Sequence, residues 1–571
     1  MKNKKTTTNQ SKPAALMNHN VPDGFAETCS SITSGVISFF IFLIVTVFPL
    51  IYHDSYFDIL ETKYKCYYLC IIGMLTVCVV LAIVMSFIDV REHQGEHVKA
   101  LLGSLAPKKW KDTFCVADAA VLVYWLAALI STFQSEYFYE AFWGNEGRYT
   151  GLFLMTLYVV SYFLISRCWK VKGWLLEVFL VSGMIMCFIG LTDYFQMDIL
   201  SFRTHIKPEQ STLFTSTVGN INTYTAYVAL IMGFAAAMFA TEKSVGKAVW
   251  YYVCLVVSFF AIITGCSDNA YLALGALFAF LPFVLFRTWT GATRYLVMVA
   301  SFFTVAQCID VINHVYEDVV VGLDSLFRVI AGFGGLPVVV VVLWGLVAAV
   351  YFLGRKNGAF GGSAGRAVRT GAGTLSGSTA DQLGKLPVMV WTAFIVLGVA
   401  GVCFALFDAN VAGNGARYGS LGTYLVFNDN WGTNRGYIWR KSIEMYQEFK
   451  GMHKLFGFGP DTFGILTTNE IRHEMVRATG QVFDNAHNEY LHLLVTIGPI
   501  GLAAYVTFVA AAIVKFCKNC RKHPCVIGCC VAVLCYSAQA VVNLNLPIAT
   551  PIMWLMLSVG IGASRAQGTA E

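Results

Sequence analysis

Apolar runs of about 18 residues or more recur from one end of this chain to the other, each long enough to cross a hydrocarbon core of about 30 Å. Nothing else in the sequence constrains the fold as strongly. In lipid, every backbone polar group must be satisfied within the segment or within a closed barrel. The runs do not alternate in polarity as barrel strands do, so helices are the remaining choice. Of 571 residues, 57% are hydrophobic and 13% charged, where a soluble protein would carry about 25% charge. The sequence predicts an all-α polytopic membrane protein with about 14 transmembrane helices. Their approximate ranges are 33–52, 67–89, 114–133, 150–166, 173–194, 220–240, 247–264, 270–287, 293–312, 328–352, 387–408, 490–514, 525–544 and 548–564.

Orientation follows from Lys and Arg. With the N-terminus cytoplasmic, alternate loops plus both tails hold roughly 26 of the 40 basic residues. Both termini are therefore expected inside. The net charge of +6 reflects this bias and is no argument for nucleic acid. Most of the 17 Cys fall within spans, where a thiol behaves as a small apolar group.

The expected organisation is a cytoplasmic tail (1–32), a first transmembrane bundle (33–352), a Gly/Ser/Ala-rich cytoplasmic linker (353–386), a second bundle (387–564) and a short tail (565–571). The second bundle contains an outer loop, 408–486, of about 80 residues. That loop is rich in aromatics, and the apolar residues of Tyr437–Phe449 approximate a helical stripe. Both traits argue for an ordered, functional loop.

Polar clusters gather at the outward span ends. They read WGNEGRYTGL with Arg148, GNINTYTAY with Asn220 and Asn222, GCSDNAY, the Arg435–Arg440 segment, and FDNAHNEYLH. Polar groups at membrane depth are costly unless they face a cavity or one another, so one outward-facing cavity is expected to unite them. His487 is placed in the first turn of its helix, where the dipole keeps an imidazole neutral and able to act as a general base. Asp484 is expected to cap that helix or hold the ring, with Asn488 beside it. Arg148, Arg435 and Arg440 offer bidentate donors for phosphate.

These residues resemble the O-antigen ligase and polysaccharide polymerase superfamily. HNEYLHLLVTIGPIGL is similar to its H-N-x-Y-L…G-x-x-G-L signature, and RGYIWRKSIEM…LFGFGPDTF to its R-x-x-x-W…G-x-G-x-x-x-F segment. GNINTYTAY and GNEGRYTGL resemble its G-N-x-N and earlier arginine motifs. The resemblance implies a GT-C-like glycosyltransferase architecture and a metal-independent enzyme without a cofactor. It would move an undecaprenyl-diphosphate-linked glycan onto an acceptor hydroxyl at the outer face of a bacterial inner membrane. It implies catalytic roles for His487 and Arg435, and substrate contacts for Arg148, Arg440, Asn220, Asn222, Asn488 and Asp484. The chain departs from the family in carrying Ser267-Asp268-Asn269 where many members have Ser-Arg, and in having more spans than usual.

Two other readings compete. A transporter or flippase would place its polar residues near the bilayer midplane on broken helices. A metal-dependent transferase would draw its ligands from His53, Asp54, Asp58 and Glu61. Cys517, Cys520, His523 and Cys525 have the spacing of a metal cluster, but the ordinary reading is a basic cytoplasmic loop with reduced thiols.

Overall fold

The computed structural model describes residues 24–104, 106–204, 206–360, 381–520 and 523–565. Most of the expected linker and tails lies outside the described residues. The chain is a multi-pass helical membrane protein. Its first helices are α1 (Gly24–Leu50), α2 (Ile59–Glu92), α3 (Val116–Gln134), α4 (Leu152–Cys168), α5 (Gly173–Tyr194) and α6 (Ile221–Thr241). They continue with α7 (Val245–Thr264), α8 (Asn269–Leu285), α9 (Trp289–Val315), α10 (Leu336–Lys356) and α11 (Leu386–Asn410). The expected outer loop folds into α12 (Trp431–Glu448), α13 (Gly451–Phe456), α14 (Phe463–Glu470) and α15 (Arg472–Thr479). The chain closes with α16 (Glu489–Asn519), α17 (Pro524–Gln539) and α18 (Thr550–Arg565).

Each expected span coincides with a helix, and among the described residues eleven helices are long and apolar enough to cross a bilayer. The other three are α4 and α8, of 17 residues each, and α18, of 16. At about 1.5 Å per residue these reach only about 26 Å. The expected span at 328–352 is also shorter than its hydropathy suggests. Gly332, Gly334 and Gly335 interrupt it, and the helix starts at Leu336, with Pro337 in its first turn.

Burial sorts the helices into centre and rim. In α6, 94% of the most apolar window is buried; in α11, none is. Small residues set this arrangement. A Cβ at Gly233 of α6 would meet the backbone of Ala532 on α17 at 2.9 Å, and one at Gly528 would enter the Phe234 ring at 2.6 Å. Close approach of this kind drives helix association where lipid gives no hydrophobic advantage. The bundles expected at 33–352 and 387–564 therefore interlock, with a late helix packed on the central early one.

Buried charges stitch the periphery. Lys63 donates to the carbonyls of Phe48, Pro49 and Ile51 at 2.9–3.1 Å, satisfying the end of α1. Asp118 accepts from Tyr162 at 2.7 Å and pairs with Arg167 and Arg565, fastening α18 to α3 and α4.

Helix α16 is not the continuous span expected at 490–514. It breaks at Gly498, whose φ of 72° and ψ of 177° are non-helical, just before Pro499. The two halves fold back on each other. Tyr505 donates to Glu489 at 2.7 Å, although 16 residues of straight helix would span about 24 Å. The break frees carbonyls that lipid cannot satisfy. Phe458 N–H bonds the carbonyl of Val495 at 3.1 Å, and Gly459 N–H bonds that of Thr496 at 2.9 Å. Ser131 adds a second donor to Thr496 at 2.8 Å. The GFG turn between α13 and α14 thus replaces the missing helical turn. A Cβ on Gly498 would lie 2.3 Å from the carbonyl oxygen of Leu455.

Gly498→Ala is expected to destabilise the protein by about 2 kcal/mol or more, from left-handed strain and the clash together. Thermal unfolding in detergent, followed by size-exclusion chromatography, checks this. An unchanged melting temperature would mean that the break is not specified by Gly498.

Candidate functional site

The broken helix puts the segment 483–488 at one end of the bundle, under the folded loop. Trp439 of α12 holds it through the Ala486 carbonyl at 2.9 Å, and Thr467 of α14 through the Phe483 carbonyl at 2.8 Å. A small core of Tyr437, Ile438, Met445, Phe463 and Met475 backs these contacts. Loop order therefore follows from the aromatic and aliphatic stripe of α12, although Ile443, one of its expected members, faces outward at 46% exposure.

His487 does not occupy the first helical turn. It precedes the N-cap in a left-handed conformation with φ of 48°, its N–H bonded to Asn485 at 2.9 Å. The cap is Asn488, which accepts from Leu491 N–H at 3.0 Å. The imidazole is nonetheless neutral at pH 7. Burial first, then the nearby positive charges of Arg435 and Arg148, lower its pKa to about 4, with Asp484 opposing them.

Asp484 neither caps the helix nor holds the ring. It takes a bidentate bond from Arg148, at 2.9 Å from Nε and 2.7 Å from the terminal nitrogen. That pairing keeps its pKa low against burial. Arg435 follows a left-handed turn at Gly432, Thr433 and Asn434. Gly436 is required next to it, since a Cβ there would lie 1.8 Å from the Asn428 carbonyl oxygen. No hydrogen bond holds the Arg435 guanidinium among the described residues. Burial presses its pKa below the usual arginine value, with the Asp268 carboxylate acting in the opposite sense.

The arrangement thus offers a neutral ring nitrogen, an uncommitted guanidinium and a second guanidinium already fixed by a carboxylate. It can accept a proton and bind an anion in one place.

Two expected residues fall elsewhere. Arg440 is committed to Asp429, at 3.0 and 2.7 Å, and to Glu444 at 2.8 Å on the exposed side of α12. Asn220 is exposed and caps α6 by accepting from Asn222 N–H at 2.8 Å. Asn222 instead enters a buried polar seam. Its side chain accepts from Ser267 at 2.5 Å, and its carbonyl accepts from Asn269 at 2.8 Å and Asn543 at 3.0 Å. The GNIN and SDN segments are therefore joined directly.

Sequence reading missed Asp461, Gln539, Asn543 and Asn545. Asp461, 3% exposed, accepts from the N–H groups of Asn145 at 2.7 Å and Thr150 at 2.9 Å through one oxygen. It pins the loop that carries Arg148. Its signal was a carboxylate inside the turn sequence GFGPDTFG. The amides of the NLNLP connector were visible as polar residues between two apolar helices. The ligand set for the metal-dependent reading is otherwise engaged: His53 pairs with Asp58 at 2.9 Å and Glu61 with Lys65. Among the described residues no three His, Cys, Asp or Glu converge as a metal site.

Burial raises the Asp461 pKa to about 7, against the lowering effect of its two N–H donors. Its contribution to stability is present at low pH and is lost as pH rises through about 7. Asp461→Asn, which keeps an oxygen for both donors, is expected to gain about 2–3 kcal/mol in stability relative to wild type between pH 5 and pH 8. Melting curves at the two pH values check the sign. A variant that loses stability relative to wild type over that range would show that the charge itself is needed to hold the loop.

The chain matches no protein-family model and no curated protein, so the reading of this site rests on its own geometry.

Proposed function

We propose that this protein is a membrane glycosyltransferase, transferring a glycan from a diphosphate-linked polyprenyl lipid to an acceptor hydroxyl, as a polysaccharide polymerase or ligase. The observation that carries the reading is the neutral His487 held near two guanidinium groups, Arg435 and Arg148. A diphosphate leaving group needs positive charge where its negative charge develops. An attacking hydroxyl needs a base that is unprotonated at neutral pH. Both needs are met within one site at one end of a membrane bundle, where a lipid-anchored donor and a water-side acceptor can meet.

In this mechanism Arg435 binds the diphosphate. Its freedom from protein partners suits a ligand of that charge. His487 removes the acceptor hydroxyl proton as the oxygen attacks the anomeric carbon. The bond from that carbon to the phosphate oxygen breaks, and the lipid diphosphate leaves. Arg148, fixed by Asp484, adds positive potential and contributes less direct binding. In this reading the site faces outward from a bacterial inner membrane, a sidedness that the Lys and Arg bias of the loops supports.

Glycan output in a deletion strain tests the proposal, with expression checked by immunoblot. His487→Ala and Arg435→Ala are expected to lose at least about 100-fold in product, with lipid-linked repeat units building up. Arg440→Ala, whose partners are surface carboxylates, is expected to keep activity within about twofold. Full activity in His487→Ala would remove the mechanism and favour a transporter or flippase.

The low histidine pKa gives a second test. In an NMR titration of ring-labelled protein, assigned by difference with His487→Gln, the His487 ring is expected to stay neutral from pH 8 to pH 5. Removing Arg435 should raise its pKa, since a nearby like charge is lost. Titration of His487 near pH 6.5 in wild type would contradict the buried, cation-flanked environment.

A further inference from the structure

Beneath His487 lies a buried polar seam that the transfer mechanism does not use. It joins the first turn of α16, the end of α17 and its NLNLP connector, and the mouths of α6 and α8. Glu489, 1% exposed, accepts through one oxygen from Tyr505 at 2.7 Å and from Asn545 at 3.2 Å. Its other oxygen has no partner among the described residues. Gln539, also 1% exposed, accepts from Asn543 at 2.6 Å and from Asn269 at 3.1 Å, while its amide nitrogen has none. The Asn545 side-chain oxygen and one carboxylate oxygen of Asp268 are likewise buried without partners among the described residues.

Unmet polar groups in a membrane interior are costly. Here they are of both kinds, an amide donor and several acceptors, on elements that meet at one seam. The set is also held in place, because each of these amides and Glu489 spends its other polar atom on a neighbour. A ligand that satisfies them must both donate and accept at several points. An anion would be repelled by Asp268, and an apolar tail would leave every group unpaired. A polyhydroxylated ring matches the pattern, since each hydroxyl donates once and accepts twice.

We infer that this seam, with Glu489 and Gln539 at its centre, is a subsite for the sugar ring next to the donor diphosphate. The inference rests on the glycosyl-transfer reading. The seam touches both ends of the proposed chemistry. Asp268 lies in the electrostatic field of Arg435, and Glu489 is two residues from His487. Glu489 is a binding residue here and takes no proton in the reaction.

The test uses full-length protein in nanodiscs and two probes: lipid-linked glycan extracted from the host strain, and undecaprenyl diphosphate without sugar. Wild type is expected to bind the glycan-bearing probe at least about tenfold more tightly. Glu489→Gln keeps the oxygen that serves Tyr505 and Asn545 and turns the free acceptor into a donor. Gln539→Glu does the reverse for the free amide. In both, the tenfold preference should fall to near parity while affinity for the bare diphosphate is kept. Glu489→Gln should melt no lower than wild type. His487→Ala should keep the preference. A preserved preference in Glu489→Gln, with bare-probe binding lost in Arg435→Ala, would overturn the subsite alone. Failure of wild type to bind either probe would overturn the transfer reading, and the subsite with it.

Discussion

The site depends on how two backbone carbonyls are satisfied. Breaking α16 at Gly498 strips Val495 and Thr496 of their normal helical donors, within a segment built to lie in lipid. Phe458, Gly459 and Ser131 replace them. Because those donors come from the turn after α13 and from α3, the break fixes the folded loop to the bundle. The same turn carries Asp461, which pins the Arg148 loop, and Arg148 in turn holds Asp484 beside His487. A chain of backbone hydrogen bonds and one ion pair therefore runs from a helix break to the proposed base. The polar start of the span and its glycine-rich middle belong to one construction.

Electrostatics at the site follow from unequal commitment of similar groups. Of the three arginines expected to meet phosphate, Arg435 alone has no hydrogen-bond or ion-pair partner among the described residues. Arg148 is held by one carboxylate and Arg440 by two. The positive potential of Arg435 and Arg148, added to burial, keeps His487 unprotonated. The ring conformation matters as well. Its left-handed backbone, just outside the helix, places His487 ahead of the cap, so charge and burial do what the helix dipole was expected to do.

Much of this was legible in the sequence. Span positions follow from hydrophobic length, and each lands on a helix, because the bilayer leaves apolar segments few alternatives. The association of Arg148, Arg435, Asp484 and His487 followed from their convergence at one set of span ends. The roles were less legible. Capping by Asn488 in place of Asp484 is a shift of four residues, about one helical turn. The surface commitment of Arg440 depends on Asp429, eleven positions away and outside any motif. The break at Gly498 was not legible inside an apolar run, because its left-handed conformation has no hydropathic signature. The seam of Gln539, Asn543 and Asn545 joins the end of α17 to its connector, and neither carries a periodic or motif signal.

The packing of α17 against α6 also has a consequence in time. The central helix leaves the ribosome nearly 300 residues before the partner that fits its small-residue face. Until then, Gly233 and its alanine neighbours face lipid or a provisional neighbour. The Asp118 carboxylate must likewise wait for Arg565, more than 400 residues later. Insertion is thus early and closure late. A chain cut short before α17 would hold most of its membrane helices and still lack the centre around which they pack, making it a natural substrate for membrane quality-control proteases.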